Sequence, residues 1–293
     1  MLAEVLLDEL IRAAGLPPIP GVRAAFRLAF GRVIRRCSRL ILELDGKVAR
    51  SGFAAAARWL LPTFVAGYEA NRVESFPASG PLLIVSNHPG VYDAVVISAF
   101  VGRTDYKLII ADLPAYRFLP NVSAHAIFSP QSGGPHGRMQ TLRRAIRHLR
   151  SGGALLIFPR GRVEPDPACM LDATEELDLW SRSLEIMLDQ VPGVRVLVAI
   201  VSGVISPAVM RHPIAWLRAT SLDRQRLASI YQVFQQVSSG RELFGLSPRV
   251  TFGELLTGDG TQVRLADIRS SARRTLELHM AKTILQPRDA LVG

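Results

Sequence analysis

From residue 75 onward, short apolar runs alternate with segments of helical character, and this alternation constrains the fold more than any other feature. Parallel strands need a crossover connection, which is usually a helix. The alternation therefore predicts an α/β domain with a largely parallel central sheet flanked by helices. The predicted strands are 81–86, 107–110, 124–128, 154–158, 196–202 and 249–254. The predicted helices are 92–102, 136–151, 173–190, 222–238 and 263–284.

Residues 1–74 have a different pattern, which predicts helices. The stretch "GLPPIPG" at 15–21 interrupts this part of the chain, and a long helix is predicted over 22–44. That helix is expected to stop near "DGK" at 45–47, and a second apolar helix is expected to begin at Phe53 and run to residue 68.

The change of pattern divides the chain into three parts. An N-terminal helical segment covers 1–74, an α/β domain covers 75–285, and a short C-terminal tail covers 286–293. A chain of 293 residues has room for one large domain and an accessory element of this kind.

The 22–44 helix admits two interpretations. Its apolar residues recur at three- and four-residue steps and therefore share one face, which comprises Phe26, Phe30, Val33, Cys37, Leu40, Ile41 and Leu44. The arginines that lie mostly off that face are Arg23, Arg27, Arg32, Arg35, Arg36 and Arg39. In the first interpretation the apolar face packs on the sheet or on the second helix. In the second, it enters a lipid surface while the arginines meet anionic headgroups.

The net positive charge of the chain indicates which classes of partner it can bind. A formal net charge of +10 favours nucleic acid, a membrane surface or a phosphate-bearing substrate. Nucleic acid is not expected, because the aromatic residues lie mainly at apolar positions and are not interleaved with basic ones. Neither a membrane-spanning helix nor a secretory signal is predicted. Cys37 and Cys169 form no CxxC pair and are expected to be reduced thiols.

The stretch "VSNHPGVYDAV" at 85–95 places a histidine and an aspartate across a turn that follows a predicted strand. Ligands of open α/β sheets bind at the carboxyl ends of strands. Histidine is suited to removing a proton near neutral pH, and a carboxylate partner fixes its tautomer. His88 is therefore a candidate base, oriented by Asp93. The alternative is that His88 caps a turn and Asp93 complements a helix dipole. A metal site is not predicted, because zinc sites need three or four ligands.

A second strand, "ALLIFPRGRVEPDP" at 154–167, also opens into a turn, and the two stretches together resemble the glycerolipid acyltransferases. That family includes lysophosphatidic acid acyltransferase and glycerol-phosphate acyltransferase, and it carries N-H-x4-D after one strand and F-P-E-G-T-R after another. This chain has Asn87-His88-x4-Asp93 and, about seventy residues later, Phe158-Pro159-Arg160-Gly161-Arg162. The stretches 191–203 and 247–256 resemble later family blocks, so the resemblance spans roughly 75–285.

The chain departs from the family pattern mainly in the second block. Arg160 occupies the position of the family's glutamate, and Arg162-Val163 replaces Thr-Arg. Glu164 is the candidate to replace the missing carboxylate from a shifted position. Ser129-Pro130 lies where the family has a phosphate-binding arginine, and Leu197 stands where a proline is usual.

The resemblance implies a role for each candidate residue. His88 deprotonates an acceptor hydroxyl, whose oxygen attacks an acyl thioester, and Asp93 orients His88. Backbone N–H groups near Gly161 hold the developing oxyanion. The arginines of the second block pair with a phosphate group. The substrate-binding candidates are Asn87, Arg160, Arg162 and Glu164. No covalent acyl-enzyme is required, and the chain has no G-x-S-x-G elbow.

The implied function is O-acyl transfer to a hydroxyl of a glycerolipid or lysophospholipid such as 1-acylglycerol 3-phosphate. The donor would be acyl-CoA or acyl carrier protein, used as a co-substrate with no bound cofactor. Long-chain substrates reside in the bilayer, so the resemblance favours the second interpretation of the 22–44 helix. It predicts a peripheral protein on the cytoplasmic side of an anionic membrane. The alternatives are a non-catalytic lipid-binding relative and an acyltransferase for a non-glycerol lipid.

Overall fold

The computed structural model describes residues 1–13, 16–71, 76–130, 134–170, 172–181, 183–258 and 262–284. Within these residues, seven strands form one sheet. The strands are β1 (Glu69–Asn71), β2 (Leu82–Ser86), β3 (Lys107–Ala111), β4 (Ala126–Ser129), β5 (Ala154–Ile157), β6 (Arg195–Ser202) and β7 (Arg249–Leu256). The strands from β2 to β7 coincide with the predicted ones to within two residues at each end.

The sheet is largely parallel, as predicted. The strand order is β1–β7–β6–β2–β5–β3–β4, and β6–β7 is the one antiparallel pair among the described strands. β2 lies between β5 and β6, with Ile84 paired to Leu156 on one side and to Leu197 on the other. All residues of β2 and β5 are buried. A strand covered on both faces needs an unbroken apolar run, which is why the sequence identifies these strands well.

Helices cover both faces of the sheet. They are α1 (Leu2–Ala13), α2 (Pro20–Ser51), α3 (Phe53–Leu60), α4 (Asp93–Ser98), α5 (Pro120–Ala124), α6 (Gly134–Arg150), α7 (Ala173–Asp178), α8 (Ser183–Gln190), α9 (Pro207–Met210), α10 (Ser221–Ser239) and α11 (Leu265–Ile284). One core layer joins the sheet to α3 and α4, and the other joins it to α6, α8 and α11. Alternate residues of β2 enter the two layers, because successive side chains of a strand point to opposite faces.

α2 runs past the predicted stop at 45–47. The side chain of Asp45 is buried, and its carboxylate accepts hydrogen bonds from the Asn121 side chain (2.7 Å) and the Val122 N–H (2.8 Å). The "DGK" signal therefore lies inside the helix, because Asp45 bonds to α5 and does not form a turn. The helix ends one residue before Gly52, whose φ of 79° is in the region that favours glycine.

The apolar face of α2 is covered by protein. Leu40 and Leu44 pack against the core layer of α3 and α4, Ile41 packs beside α5, and Phe26 and Phe30 pack with α1. This packing favours the first interpretation of the helix, and association of the N-terminal segment with a lipid surface stays a prediction.

The arginines of α2 divide into two groups. Arg23 and Arg27 form ion pairs with Asp8 and Glu4 of α1. Arg36 donates a hydrogen bond to the Ser238 carbonyl. Four further arginines of α2 are exposed, namely Arg32, Arg35, Arg39 and Arg50. Among the described residues no helix is long and apolar enough to cross a bilayer.

Four further differences concern the extent or number of the elements. The predicted 92–102 helix ends earlier, at Ser98. The predicted 53–68 helix ends at Leu60 and continues as a 3₁₀ turn, Leu61–Thr63. The predicted 173–190 helix is two helices, α7 and α8. The sequence pattern does not predict β1, which pairs with β7. The division at residues 74 and 75 stays a prediction, since both residues lie outside the described part of the chain, as does the 286–293 tail.

Candidate active site

Three parallel strands end together at one edge of the sheet, and the candidate residues lie there. β2 pairs with both β5 and β6, so the loops that follow these strands are neighbours. The loop after β2, residues 87–92, is called the histidine loop, and the loop after β5, residues 158–166, is called the arginine loop. The strand order thus brings the two sequence blocks together at the carboxyl edge, where α/β sheets bind ligands.

The histidine and the aspartate of the first block form the predicted pair. Nδ1 of His88 lies 2.7 Å from Oδ2 of Asp93. Asp93 is fully buried and also accepts hydrogen bonds from the N–H groups of Gly90 (3.1 Å) and Ala94 (2.5 Å). Because Nδ1 faces Asp93, Nε2 is the ring nitrogen that can face a substrate. The His88 side chain is 29% exposed, which leaves it accessible.

The surroundings of His88 make its imidazole a stronger base. Burial lowers the pKa of His88, but the negative charge of Asp93 and the hydrogen bond to it raise the pKa by more. Glu164 adds to the increase, and Arg226 opposes it, so the pKa stays above the ordinary value of a histidine. A neutral imidazole held by a buried carboxylate suits the removal of a proton from a hydroxyl.

The arginine loop holds His88 at two points. The ring of Phe158 stacks on the imidazole, with the ring centroids 4.5 Å apart and the planes inclined by 27°. Glu164 bonds to the backbone of the same residue: its N–H donates to the His88 carbonyl (2.8 Å), and its carboxyl oxygen accepts from the His88 N–H (3.3 Å). The ring and the backbone of His88 are therefore both fixed by the second sequence block.

Glu164 is buried and does not face a substrate. Its residue exposure is 1%, and burial raises the pKa of the carboxyl group to about 8 against the opposing effect of His88. Burial therefore favours the protonated form of this carboxyl group, and the charge of His88 favours the ionised form. The indole N–H of Trp180 lies close to this carboxyl group and also opposes the increase in its pKa. The prediction that Glu164 supplies a substrate-binding carboxylate does not fit this environment, because the group is buried and bonds to the His88 backbone.

The two arginines of the second block converge on one carboxylate. Nε of Arg160 donates to Glu176 at 2.6 Å, and Nη2 of Arg162 donates to the same residue at 3.0 Å. The sequence predicts that both side chains reach one anion, and in this structure the anion is a glutamate of α7. Arg162 is nevertheless 45% exposed, and two positive charges face one negative charge. The group thus keeps a net positive charge at the edge of the site.

Gly161 is required by the turn of the arginine loop. Its φ is 62°, and its N–H donates to the Phe158 carbonyl at 3.0 Å. A Cβ at this position would meet no atom within 4 Å, so the conformation and not a close approach explains the glycine. The N–H of Gly161 itself is engaged in the turn. The predicted oxyanion role therefore rests on the other N–H groups of the loop.

Asn87 has a structural role. Its side chain is buried, Nδ2 donates to the Val201 carbonyl (2.9 Å), and Oδ1 accepts from the Val201 N–H (2.8 Å). These bonds continue the pairing of β2 with β6 beyond Ser86, the last residue of the strand. The substrate-binding role of Asn87 stays a prediction, and this geometry does not favour it, because both polar groups of the side chain bond to β6.

Asp166, which the sequence analysis does not single out, joins the arginine loop to the loop after β6. Its buried carboxylate accepts four backbone hydrogen bonds of 2.9–3.3 Å. The donors are the N–H groups of Ala168, Gly203, Val204 and Ile205. A carboxylate can accept this many bonds through its two oxygens, so the loop ends are held without an unpaired donor.

Gln225 of α10 joins the histidine loop to the arginine loop. Its amide nitrogen donates to the carbonyls of Pro89 (2.6 Å) and Glu164 (2.8 Å), and its oxygen accepts from the Asp166 N–H (3.3 Å). Gln225, Gln232 and Gln236 are all fully buried on α10. Glutamines spaced by seven and four residues on one helix face are the sequence signal that could have identified this brace.

One comparison with known proteins identifies the family of this region. A family model described as Acyltransferase matches residues 68–210, which include both loops. Residues 68–210 are an acyltransferase-family domain. The resemblance predicted from the two sequence blocks is thereby confirmed, and α10 with Gln225 lies beyond the matched range. No curated protein matches the chain.

One solved structure that resembles the chain is the 1-acyl-sn-glycerophosphate (LPA) acyltransferase PlsC from Thermotoga maritima. The sequences are 16% identical, the match covers 98% of each chain, and the TM-score is 0.47. At this level of similarity nothing follows about the substrate of the acyltransferase domain described above.

Gln225 is expected to position the acyltransferase site, and Gln232 provides a matched control. Gln232 is equally buried on α10 but bonds to Val204 and Ser206, in the loop after β6. Gln225→Met and Gln232→Met each leave buried polar groups unpaired, so both should lower stability by about 1–3 kcal/mol. Gln225→Met alone should lower kcat, by about 10- to 100-fold, because small displacements of a catalytic group are costly.

The test compares kcat and KM of the two variants below their unfolding transitions. Equal kcat values for Gln225→Met and Gln232→Met would show that Gln225 contributes to stability only.

Proposed function

We propose that this protein is an O-acyltransferase that moves a fatty acyl group from an acyl thioester to a hydroxyl of a glycerolipid. The observation that carries the proposal is the His88–Asp93 hydrogen bond of 2.7 Å at the carboxyl edge of the sheet, inside the acyltransferase-family domain. A non-catalytic lipid-binding relative would not need a basic imidazole with an accessible Nε2 atom.

The chemistry follows from the geometry of this pair. Nε2 of His88 takes the proton of the acceptor hydroxyl as its oxygen attacks the carbonyl carbon of the thioester. A C–O bond forms, and the negative charge moves to the carbonyl oxygen, where N–H groups of the arginine loop can stabilise it. The intermediate then collapses, the C–S bond breaks, and the imidazolium returns its proton to the thiolate. Asp93 stabilises the imidazolium during these steps and keeps the ring in one orientation.

We infer that the acceptor carries a phosphate, as 1-acylglycerol 3-phosphate does. Arg160 and Arg162 support this inference, since their guanidinium groups lie on the loop that packs against His88 and retain a net positive charge beside Glu176. Arginine binds phosphate through paired N–H groups. Acyl-CoA and acyl carrier protein are the two proposed donors, and phospholipid synthesis or remodelling at a membrane surface is the proposed setting.

Replacing His88 by alanine tests the reaction itself. His88→Ala should lower kcat by about 10²–10⁴-fold, which is the contribution of a typical general base, and should leave the thermal transition nearly unchanged. The assay is transfer of labelled acyl groups from acyl-CoA to a panel of lysolipids, with products separated by mass. His136→Ala is the control, because His136 is exposed on α6 and bonds to Gln140. Full activity of His88→Ala would contradict the mechanism and favour a lipid-binding protein.

Reversing the charge of Arg160 tests the phosphate-bearing acceptor. The group of two positive charges and one negative charge becomes, in Arg160→Glu, a group of one positive charge and two negative charges. Because this group would repel a phosphate, kcat/KM for a lysolipid phosphate should fall at least tenfold. With a neutral monoacylglycerol as acceptor, the same variant should change kcat/KM by less than about threefold, because no phosphate is repelled. Equal losses for the two acceptors would indicate that Arg160 and Glu176 only hold the arginine loop in place.

A further inference from the structure

Four exposed apolar side chains belong to loops at the edge of the sheet that carries the His88–Asp93 pair. They are Val91, Leu179, Trp216 and Leu217, and each is between 51% and 70% exposed. Single exposed apolar residues are common on protein surfaces, but a group of them around one site marks an interaction surface. These four residues are called the active-site rim.

Two residues of the rim are joined directly to the site, one by its place in the chain and one by a hydrogen bond. Val91 belongs to the histidine loop, between His88 and Asp93. The carbonyl of Leu179 accepts a hydrogen bond of 3.3 Å from Arg160. Val91 therefore lies on the histidine loop, and Leu179 is bonded to the arginine loop.

Trp216 and Leu217 lie in the segment between β6 and α10. Both ends of this segment are hydrogen-bonded to loops at the carboxyl edge of the sheet. The segment begins after β6, where Asp166 binds the N–H groups of Gly203 and Val204. It ends at α10, whose Gln225 bonds to the histidine loop and the arginine loop. Trp216 and Leu217 form the 3₁₀ turn between these anchors, and their exposures are 60% and 70%.

The charge around the tryptophan is strongly positive. Residues 203–230 contain four arginines (Arg211, Arg218, Arg224 and Arg226) and one acidic residue, Asp223. The guanidinium of Arg224 lies 4.2 Å from the centroid of the Trp216 ring. Tryptophan with adjacent arginine is suited to the boundary between lipid headgroups and acyl chains, because the ring is amphipathic and the cation meets anionic headgroups.

We propose that the active-site rim docks on an anionic lipid bilayer, so that the acceptor reaches His88 from the membrane. This inference rests on the proposed function, which places the acceptor in lipid. It assigns the membrane-facing surface to the rim and not to the apolar face of α2, which is packed against α1, α5 and the core. The arginines of the segment attract the surface, and Trp216 and Leu217 insert at the interface.

The test measures binding to vesicles of phosphatidylglycerol and phosphatidylcholine by sedimentation, for the full chain and two variants. The rim variant is Trp216→Ser with Leu217→Ser. The matched control is Leu28→Ser, because Leu28 is 91% exposed on α2, outside the rim. The rim variant should bind at least tenfold more weakly, and the Leu28→Ser variant should bind like the original chain. Vesicle binding of the original chain and of the Leu28→Ser variant should weaken as ionic strength rises, because salt screens the arginines.

Measuring kcat/KM with two acceptors distinguishes a loss of membrane docking from a loss of catalysis. With an acceptor embedded in the vesicles, kcat/KM of the rim variant should fall with its binding. With a short-chain acceptor dissolved as monomers, kcat/KM should stay within about twofold, because the site is intact. If the original chain binds vesicles through the rim but acylates neither acceptor, docking is supported and the proposed function is contradicted.

Three results would overturn the docking proposal. The first is vesicle binding that is the same for the original chain and the rim variant. The second is loss of binding in Leu28→Ser alone, which would assign docking to the N-terminal helices. The third is a rim variant that binds vesicles normally and loses activity only when acyl carrier protein is the donor. This result would assign the rim to a protein partner.

Discussion

Parallel pairing of β2 with both β5 and β6 determines where the chemistry can take place. Because the three strands run in the same direction, their following loops meet at one edge, and residues from distant parts of the chain become neighbours. The central position of β2 also keeps its loop away from the ends of the sheet. His88 therefore has protein on several sides, which supplies the buried carboxylate and the stacked ring that its proposed role as a base requires.

The hydrogen bonds between the strands do not continue into the loops that follow them. Buried side chains provide the hydrogen bonds that hold these loops. Asn87 continues the contact of β2 with β6, Asp166 binds the loop after β6, and Gln225 bonds to the histidine loop and the arginine loop. Every one of these polar groups is buried, so removing one leaves its partners unpaired. A network of this kind is rigid, and rigidity is what a general base needs if its nitrogen is to face a substrate hydroxyl.

Short-range sequence patterns predict part of the fold and part of the candidate site. β2, β5 and β6 are predicted because strands buried on both faces are apolar throughout. The His88–Asp93 pair is predicted because its short spacing and the second sequence block together resemble a known family. Contacts over long sequence distances are missed. Asn87 and Val201 are 114 positions apart, and Gln225 and Pro89 are 136 apart, so their side chains carry no local sign of their partners. The partner of Arg160 and Arg162, Glu176, and the extension of α2 beyond Asp45 depend on tertiary contacts of the same kind.

The central claim is that Asp93 makes His88 the base of an acyl transfer. The most direct measurement is the pH dependence of kcat/KM for the original chain and for Asp93→Asn, with an acceptor that does not titrate between about pH 5 and 9. His88 must be neutral to accept a proton, so activity should fall as the pH decreases through its raised pKa, with a midpoint above the ordinary value of about 6.5. Without the carboxylate the midpoint should move to lower pH, and the plateau should fall by about 10²-fold or more. An unchanged midpoint and plateau in Asp93→Asn would contradict the account.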